Sequence, residues 1–177
     1  MKLEEVILVN QLDEQIGTMP KMEAHKKALL HRAFSVFVLN DEGEIMLQQR
    51  AVTKYHSPLL WTNTCCSHQG LGESNIEAGK RRLQEEMGFV TELKEVFSFI
   101  YKASLENGLT EHEFDHVMIG NFNEDPTINI DEVADWKWMK PNDIKNDVLE
   151  RPSEYTVWFK IIFEKFHEHI FDINPNV

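Results

Sequence analysis

Five histidine and glutamate side chains of this sequence form a candidate site for a divalent metal ion. They are His25, His31, His68, Glu111 and Glu113. Residues two apart on a strand project from the same face, so Glu111 and Glu113 would direct both carboxylates to one point. Imidazole and carboxylate together suit a borderline or hard divalent cation, and five such groups nearly fill an octahedral shell. The pattern indicates a metal site; the alternative is a strand whose glutamates simply face solvent.

A cysteine lies two residues before one of these histidines, in the run Asn63-Thr64-Cys65-Cys66-Ser67-His68. A thiol beside a bound cation can have its pKa lowered and can then donate or accept a proton or act as a nucleophile. The alternative is that Cys66 is a small buried hydrophobe. Because adjacent cysteines seldom reach the geometry of an unstrained disulfide, we expect two free thiols and a cytoplasmic protein.

A third group of residues lies in a loop and the helix that follows it. Ser67 is followed after five residues by Glu73, and seven further residues lead to Arg81-Arg82-Leu83-Gln84-Glu85-Glu86-Met87-Gly88-Phe89. Glu85 and Glu86 could hold a Mg²⁺ that bridges phosphates, because Mg²⁺ takes oxygen ligands and often uses only one or two carboxylates. Helices that end in two glutamates are also common without a metal.

The charge balance limits which partners such a site could serve. The 177 residues include 18 Lys and Arg against 30 Asp and Glu, which gives a net charge of −12. This excess of acid argues against a general nucleic-acid or membrane-surface role. An anionic ligand therefore needs a local basic cluster, for which the candidates are Lys21, Arg50, Lys54 and Arg82. No apolar stretch approaches the roughly 20 residues that a membrane span needs.

The elements that must position these residues begin with short apolar runs. Val6–Val9 and Phe34–Leu39 have the composition of strands. The turn residues Asn40-Asp41-Glu42-Gly43 then lead to Ile45–Arg50, which predicts a β-hairpin. Residues 57–72 have no regular pattern and are expected to form a long loop.

The second half of the chain alternates helix and strand signals. Ser74 and Glu77 have the spacing of a capping box, which predicts a helix that ends at Gly88. Strands are expected at 96–101, 114–122 and 134–139, and a last helix from about Ser153. The apolar stripe of that helix is Tyr155, Trp158, Phe159, Ile162, Phe163 and Phe166. We expect one domain over residues 1–177, of mixed α/β or α+β class.

Together, these motifs resemble a known family. The loop and helix are similar to a degenerate Nudix box, G-x5-E-x7-R-E-U-x-E-E-x-G-U with U aliphatic. Ser67 replaces the first Gly, and Arg82 replaces the Glu after the box Arg, which removes a carboxylate that Nudix hydrolases use to hold magnesium. With the run 61–68, the two glutamates and the early histidine pair, the sequence resembles type I isopentenyl-diphosphate isomerases from about Val6 to the final helix.

The resemblance implies a Nudix-like fold, a mixed β-sheet packed between helices, and a role for each motif. One divalent metal, Mn²⁺, Zn²⁺ or Mg²⁺, would be held by His25, His31, His68, Glu111 and Glu113. Catalysis would use Cys66 and Glu113, assisted by Tyr101, with Trp158 lining the pocket. Glu86 would bind a second cation, Mg²⁺, together with the substrate diphosphate, and the phosphate oxygens would be held by Lys21, Arg50, Lys54 and Arg82.

The implied activity is metal-dependent interconversion of isopentenyl diphosphate and dimethylallyl diphosphate, through a carbocation-like species, in isoprenoid biosynthesis. The expected partner is the small diphosphate substrate, with no nucleic acid and no membrane, and a monomer is the working expectation. Two alternatives are a Nudix-type diphosphate hydrolase and a non-catalytic domain that binds a diphosphate. Arg82 disfavours the hydrolase, and a pure binding domain has no need of Cys66 opposite Glu113.

Overall fold

The computed structural model describes residues 4–171 and places nine strands in one mixed sheet. The strands are β1 Glu5–Val9, β2 Gln15–Pro20, β3 His31–Leu39, β4 Ile45–Arg50, β5 Trp61–Thr62, β6 Cys65–Ser67, β7 Leu93–Ser104, β8 Thr110–Asn121 and β9 Val133–Met139. The helices are α1 Lys21–Lys27, α2 Asn75–Met87, α3 Pro141–Glu150 and α4 Val157–Phe171, with short 3-10 turns at Glu106–Gly108 and Pro152–Glu154.

Strand β3 is the centre of the sheet. It pairs in parallel with β8 along its whole length, with His31 opposite Glu113, while the other strand pairs are antiparallel. Strand β4 pairs with β3 only at Leu39 and Ile45, next to the turn, and the two strands then separate. Strand β6 pairs instead with residues 34–36 of β3. This arrangement brings β6 and β8 to the two sides of one strand.

The two faces of the sheet carry different parts of the core. Phe34 and Val36 of β3 pack with apolar residues of α2, whereas Phe37 packs with Trp158 and Phe159 of α4. Alternate side chains of a strand point to opposite faces, so helices cover both sides of the sheet. The prediction of a mixed sheet between helices is confirmed. No helix in the described range is long and apolar enough to cross a membrane.

The predicted hairpin and central helix are both present. Gly43 donates to the Asn40 carbonyl within the predicted turn, at 3.0 Å. The Ser74 backbone amide donates to Glu77, and the Glu77 amide donates to the Ser74 hydroxyl, which completes the capping box. Gly88 ends α2 in the left-handed conformation, with φ 77°. Strands β7, β8 and β9 contain most or all of their predicted ranges.

Other expectations need correction. The loop expected over residues 57–72 includes β5 and β6, because Cys65–Ser67 pairs with β3. Helix α4 begins at Val157 rather than near Ser153, because Tyr155 is extended in a bridge to Trp61. The side chain of Phe166 lies outside the described residues. Strand β2 and helices α1 and α3 had not been predicted.

A substitution at Gly88 tests how tightly α2 is held at its end. A Cβ there would lie 2.3 Å from the Thr127 carbonyl oxygen, and the backbone has positive φ. Gly43 has a similar φ of 73°, but a Cβ there meets nothing within 4 Å. We expect Gly43→Ala to cost about 1 kcal/mol for the dihedral alone. Gly88→Ala should cost about 1–3 kcal/mol more, because its neighbours must also move.

Urea unfolding of both variants and the parent protein measures the difference. Equal destabilisation by the two substitutions would contradict the tight contact between Gly88 and Thr127.

Candidate active site

The parallel register of β3 and β8 places the polar residues of both strands on one face. Glu111, Glu113 and Asp115 alternate along β8, on the side where Val117 joins the core beneath α4. On β3, Ser35 donates to Asp115 at 2.8 Å. The apolar face of the sheet therefore continues directly into a buried acidic row, as the period-two spacing of the glutamates predicted.

Two histidines approach this row with fixed ring orientations. The Nδ1 atom of His25, on α1, donates to the Lys21 carbonyl, and that of His31, on β3, donates to the Leu29 carbonyl, both at 2.8 Å. Both Nε2 atoms are buried and have no hydrogen-bond partner among the described residues. A lone buried imidazole nitrogen whose partner nitrogen is bonded to a carbonyl is the arrangement expected of a metal ligand. The ring centroids are 4.9 Å apart.

Glu113 is the meeting point of the other groups. Its Oε1 lies 3.2 Å from His68 Nε2 and 3.5 Å from His31 Nε2. The Tyr101 hydroxyl lies 2.7 Å from Glu113 Oε2 and 3.0 Å from Glu111 Oε2. The Tyr101 hydroxyl, opposite Glu113 on the paired strand β7, therefore bridges the two carboxyl groups.

Burial and mutual repulsion act on the two carboxyls. Burial and the nearby charge of Glu113 raise the pKa of Glu111 well above its usual range. Burial also opposes ionisation of Glu113, but the adjacent imidazoles of His31 and His68 outweigh it and hold the pKa of Glu113 well below its usual range. Without a cation, the two carboxyls therefore ionise in sequence, Glu113 at lower pH than Glu111.

Burial also favours the neutral form of His25 and His68. It lowers the pKa of His25, and it lowers the pKa of His68 to about 4. Only neutral imidazole can donate a lone pair to a metal, so these rings are in the form that binding requires.

The predicted metal ligands lie together in two overlapping groups. Ligand atoms of His25, His31, His68 and Glu113 lie within 4.8 Å of one another, and so do those of His25, His56 and Glu111. The donor set and the unpartnered nitrogens fit a borderline divalent cation. His56 was not predicted as part of the site, because no local motif marks it and only the fold brings it beside Glu111.

One cavity of about 230 Å³ adjoins this cluster. Its walls include every predicted catalytic and substrate-binding residue: Lys21, Arg50, Lys54, Cys66, Arg82, Tyr101, Glu113 and Trp158. Cys65 and Cys66 are both free, and burial raises the pKa of the Cys66 thiol to about 12. Cys66 is therefore a thiol at neutral pH, not a thiolate.

Trp158 is fixed in the cavity wall. Its Nε1 donates to Thr62 Oγ1 at 2.9 Å, and only 3% of the residue is exposed. The Arg50 guanidinium lies 5.2 Å from the ring centroid. Arg50 itself donates to the carbonyls of His56 and Ser57 at 3.0 and 3.1 Å, so it also holds the loop after β4.

The other cationic side chains have acidic partners that the sequence did not reveal. Lys21 pairs with Glu4 at 3.2 Å. Lys54 and Arg82 both pair with Glu132, the latter at 3.2 Å. Glu4 and Glu132 line the same cavity. The local basic cluster required by the net charge is present, with two carboxylates that balance it.

The box-like segment is organised around its two arginines. Arg81 forms two bonds to Glu73, at 2.7 and 2.8 Å. Arg82 contacts both Glu85 and Glu86 at 2.6 Å. Gln48 donates to the second oxygen of Glu86 at 2.8 Å, so both oxygens of that buried carboxylate are engaged. Glu86 lies apart from the two His/Glu groups described above.

Comparison with solved structures identifies the fold. A protein of Deinococcus radiodurans matches with TM-score 0.75 and 18% identity, over 92% of this chain and 99% of that chain. A MutT NUDIX hydrolase of Burkholderia pseudomallei matches with TM-score 0.60 and 18% identity, over 77% of this chain and 98% of that chain. At these identities the likeness concerns the fold alone.

Comparison of sequences identifies the family. Residues 29–159 match the NUDIX domain model. A protein of Photorhabdus laumondii named isopentenyl-diphosphate Delta-isomerase 2 is 51% identical, over 89% of this chain and 89% of its own. An isopentenyl-diphosphate Delta-isomerase of Pectobacterium atrosepticum is 43% identical, over 96% of this chain and 94% of its own. The chain therefore belongs to the NUDIX family and, within it, to the isopentenyl-diphosphate Delta-isomerases.

Proposed function

We propose that this chain interconverts isopentenyl diphosphate and dimethylallyl diphosphate, as the names of its relatives indicate. The observation that carries the proposal is the shared cavity of Cys66, Tyr101 and Glu113. Moving the double bond adds one proton to a terminal carbon and removes one from an allylic carbon. A thiol and a carboxylate in one enclosed space provide a donor and an acceptor for these two transfers.

The residues divide the reaction between them. Cys66 and Glu113 exchange protons with the hydrocarbon, one donating while the other accepts, and their roles reverse with the direction of reaction. Tyr101 donates to Glu113 and can pass a proton to that carboxylate. The Trp158 ring stabilises positive charge on the hydrocarbon by a cation–π interaction, worth about 2 kcal/mol in a desolvated site. Displacement of water from the cavity by the substrate protects the carbocation from capture.

A divalent metal fits beside this pair. We propose that it is held by the predicted ligands His25, His31, His68, Glu111 and Glu113, whose free nitrogens and paired carboxylates support the assignment. A bound cation supplies positive charge that stabilises both carboxylates in their ionised form.

The diphosphate would be held by Lys21, Arg50, Lys54 and Arg82, all of which line the cavity. Binding requires Lys54 and Arg82 to exchange the Glu132 carboxylate for phosphate oxygens, which offer the same geometry with more charge. When Arg82 turns to phosphate, it also leaves one oxygen of Glu86. We propose that Glu86 then holds the Mg²⁺ that accompanies the diphosphate. The free cysteines are consistent with action in the reducing cytoplasm.

The hydrolase alternative is disfavoured by the contacts of Arg82. This residue replaces a carboxylate of the usual box and ion-pairs with the two glutamates at the end of the helix, Glu85 and Glu86. A cluster of magnesium ligands is thereby reduced in number and neutralised. A non-catalytic binding domain would not need the bridged carboxyl pair and thiol in its cavity.

Isotope exchange tests the proposed activity directly. Incubation of the protein with isopentenyl diphosphate in deuterated water should yield dimethylallyl diphosphate that carries deuterium, because the added proton equilibrates with solvent. Mass spectrometry of the product measures the label. Release of inorganic phosphate without isomerised product would instead support the hydrolase.

Replacement of the thiol tests its role. Cys66→Ala should lower the isomerisation rate by about 10²–10⁴-fold, the range for loss of a proton-transfer group, without unfolding the protein. Cys65→Ala is the matched control, because Cys65 is fully buried in the core beneath α2. The control should lose stability but retain turnover. Near-normal turnover by Cys66→Ala would remove this residue from the mechanism.

Metal removal tests the ligand cluster. Protein treated with a chelator should be inactive and should melt at a lower temperature, because a cation present at 100 times its Kd stabilises the native state by about 2.7 kcal/mol. Adding back Mn²⁺ should restore both properties. Full activity in protein shown by elemental analysis to be metal-free would exclude the cluster from the reaction.

A further inference from the structure

His56 is a buried histidine that the roles proposed above leave unused. It lies between β4 and β5, is 5% exposed and lines the cavity. Its Nδ1 is 3.3 Å from the Ser57 hydroxyl, and its ring contacts Tyr55 and Trp158 edge-on, with centroids 4.4 and 5.8 Å apart. Arg50 holds the backbone carbonyl of His56 at 3.0 Å. The ring is therefore fixed from several sides, with Nε2 turned toward Glu111.

The distance between His56 and Glu111 is informative. Nε2 lies 3.7 Å from Glu111 Oε1, which is too long for a hydrogen bond. Two ligands with bonds of about 2.1 Å to one ion are about 3 Å apart at right angles and about 4.2 Å apart when opposite. The observed separation falls within this interval and suits two ligands of a common ion.

His25 connects this pair to the rest of the cluster. It belongs both to the group with His56 and Glu111 and to the group with His31, His68 and Glu113. Because its Nδ1 is bonded to the Lys21 carbonyl, only Nε2 is available, and one nitrogen binds one ion. An ion on this nitrogen therefore lies beside both groups, and one ion can draw together ligand atoms that do not all lie within 4.8 Å of one another.

We infer that His56 is a sixth protein ligand of the metal and completes an octahedral shell of four imidazoles and two carboxylates. This inference rests on the metal site of the proposed function and extends it. Six protein ligands leave no position on the ion for solvent, in a cavity from which water must be kept. Four nitrogen donors also favour a transition ion such as Mn²⁺ over Mg²⁺, which prefers oxygen.

Metal titration tests the assignment without reference to activity. Metal-free wild type, His56→Ala and His56→Gln are titrated with Mn²⁺, and free Mn²⁺ is measured by electron paramagnetic resonance. Both variants should bind about 10- to 100-fold more weakly than wild type, the effect typical of altered metal shells. His116→Gln is the control, because this buried histidine pairs with Asp13 and Glu95 instead. Its affinity should be unchanged.

A second measurement uses the wild type alone, so it stands even if the variants fold poorly. X-ray absorption of the Mn²⁺-loaded protein should show six light ligands, of which four are imidazoles. Three imidazoles, or wild-type affinity in both folded His56 variants, would overturn the inference while leaving the proposed function intact. Failure of the wild type to bind any divalent cation would instead defeat the metal site itself.

Discussion

Two carboxyl groups and four histidine rings are buried beside one another, and this crowding constrains everything else at the site. Removing even one charged group from water costs several kcal/mol unless an opposite charge compensates. The pKa of Glu111 is raised and the pKa of Glu113 is lowered. The buried Nε2 atoms of His25 and His31 have no hydrogen-bond partner among the described residues. A cation at this point satisfies the carboxylates and the nitrogens together.

The sheet gives this cluster its rigidity. Glu113 and His31 are opposed in the parallel register of β3 and β8, and the same strands continue into a core formed by Phe37 and Val117. A shift of one residue in either strand would move its side chains to the other face. The apolar contacts beneath α4 therefore fix the polar geometry, which matters because proton transfer tolerates little displacement of donor and acceptor.

Local patterns could be predicted from the sequence, and long-range pairings could not. The period-two glutamates, the Ser74 capping box and Gly88 depend on neighbours within a few residues, and all were found as expected. The short helix α1 gave little signal, since it ends at a left-handed Ala28 without a glycine. His56 lies beside Glu111 only because the loop after β4 folds back over that residue. Glu111 lies 55 positions after His56 in the chain, so no local pattern links the two residues.

The single replacement at Arg82 explains how this fold can serve a different reaction. In the usual box, a glutamate at this position would add negative charge to Glu85 and Glu86 and draw in metal ions. Arg82 instead ion-pairs with both and shares Glu132 with Lys54. The cavity wall therefore carries cationic side chains whose carboxylate partners can be replaced by a ligand. Such a wall can exchange its internal carboxylates for a diphosphate, which offers similar geometry with more charge. In the proposed reaction the diphosphate is held as an anchor rather than cleaved, and the chemistry takes place at the hydrocarbon beside Cys66 and Glu113.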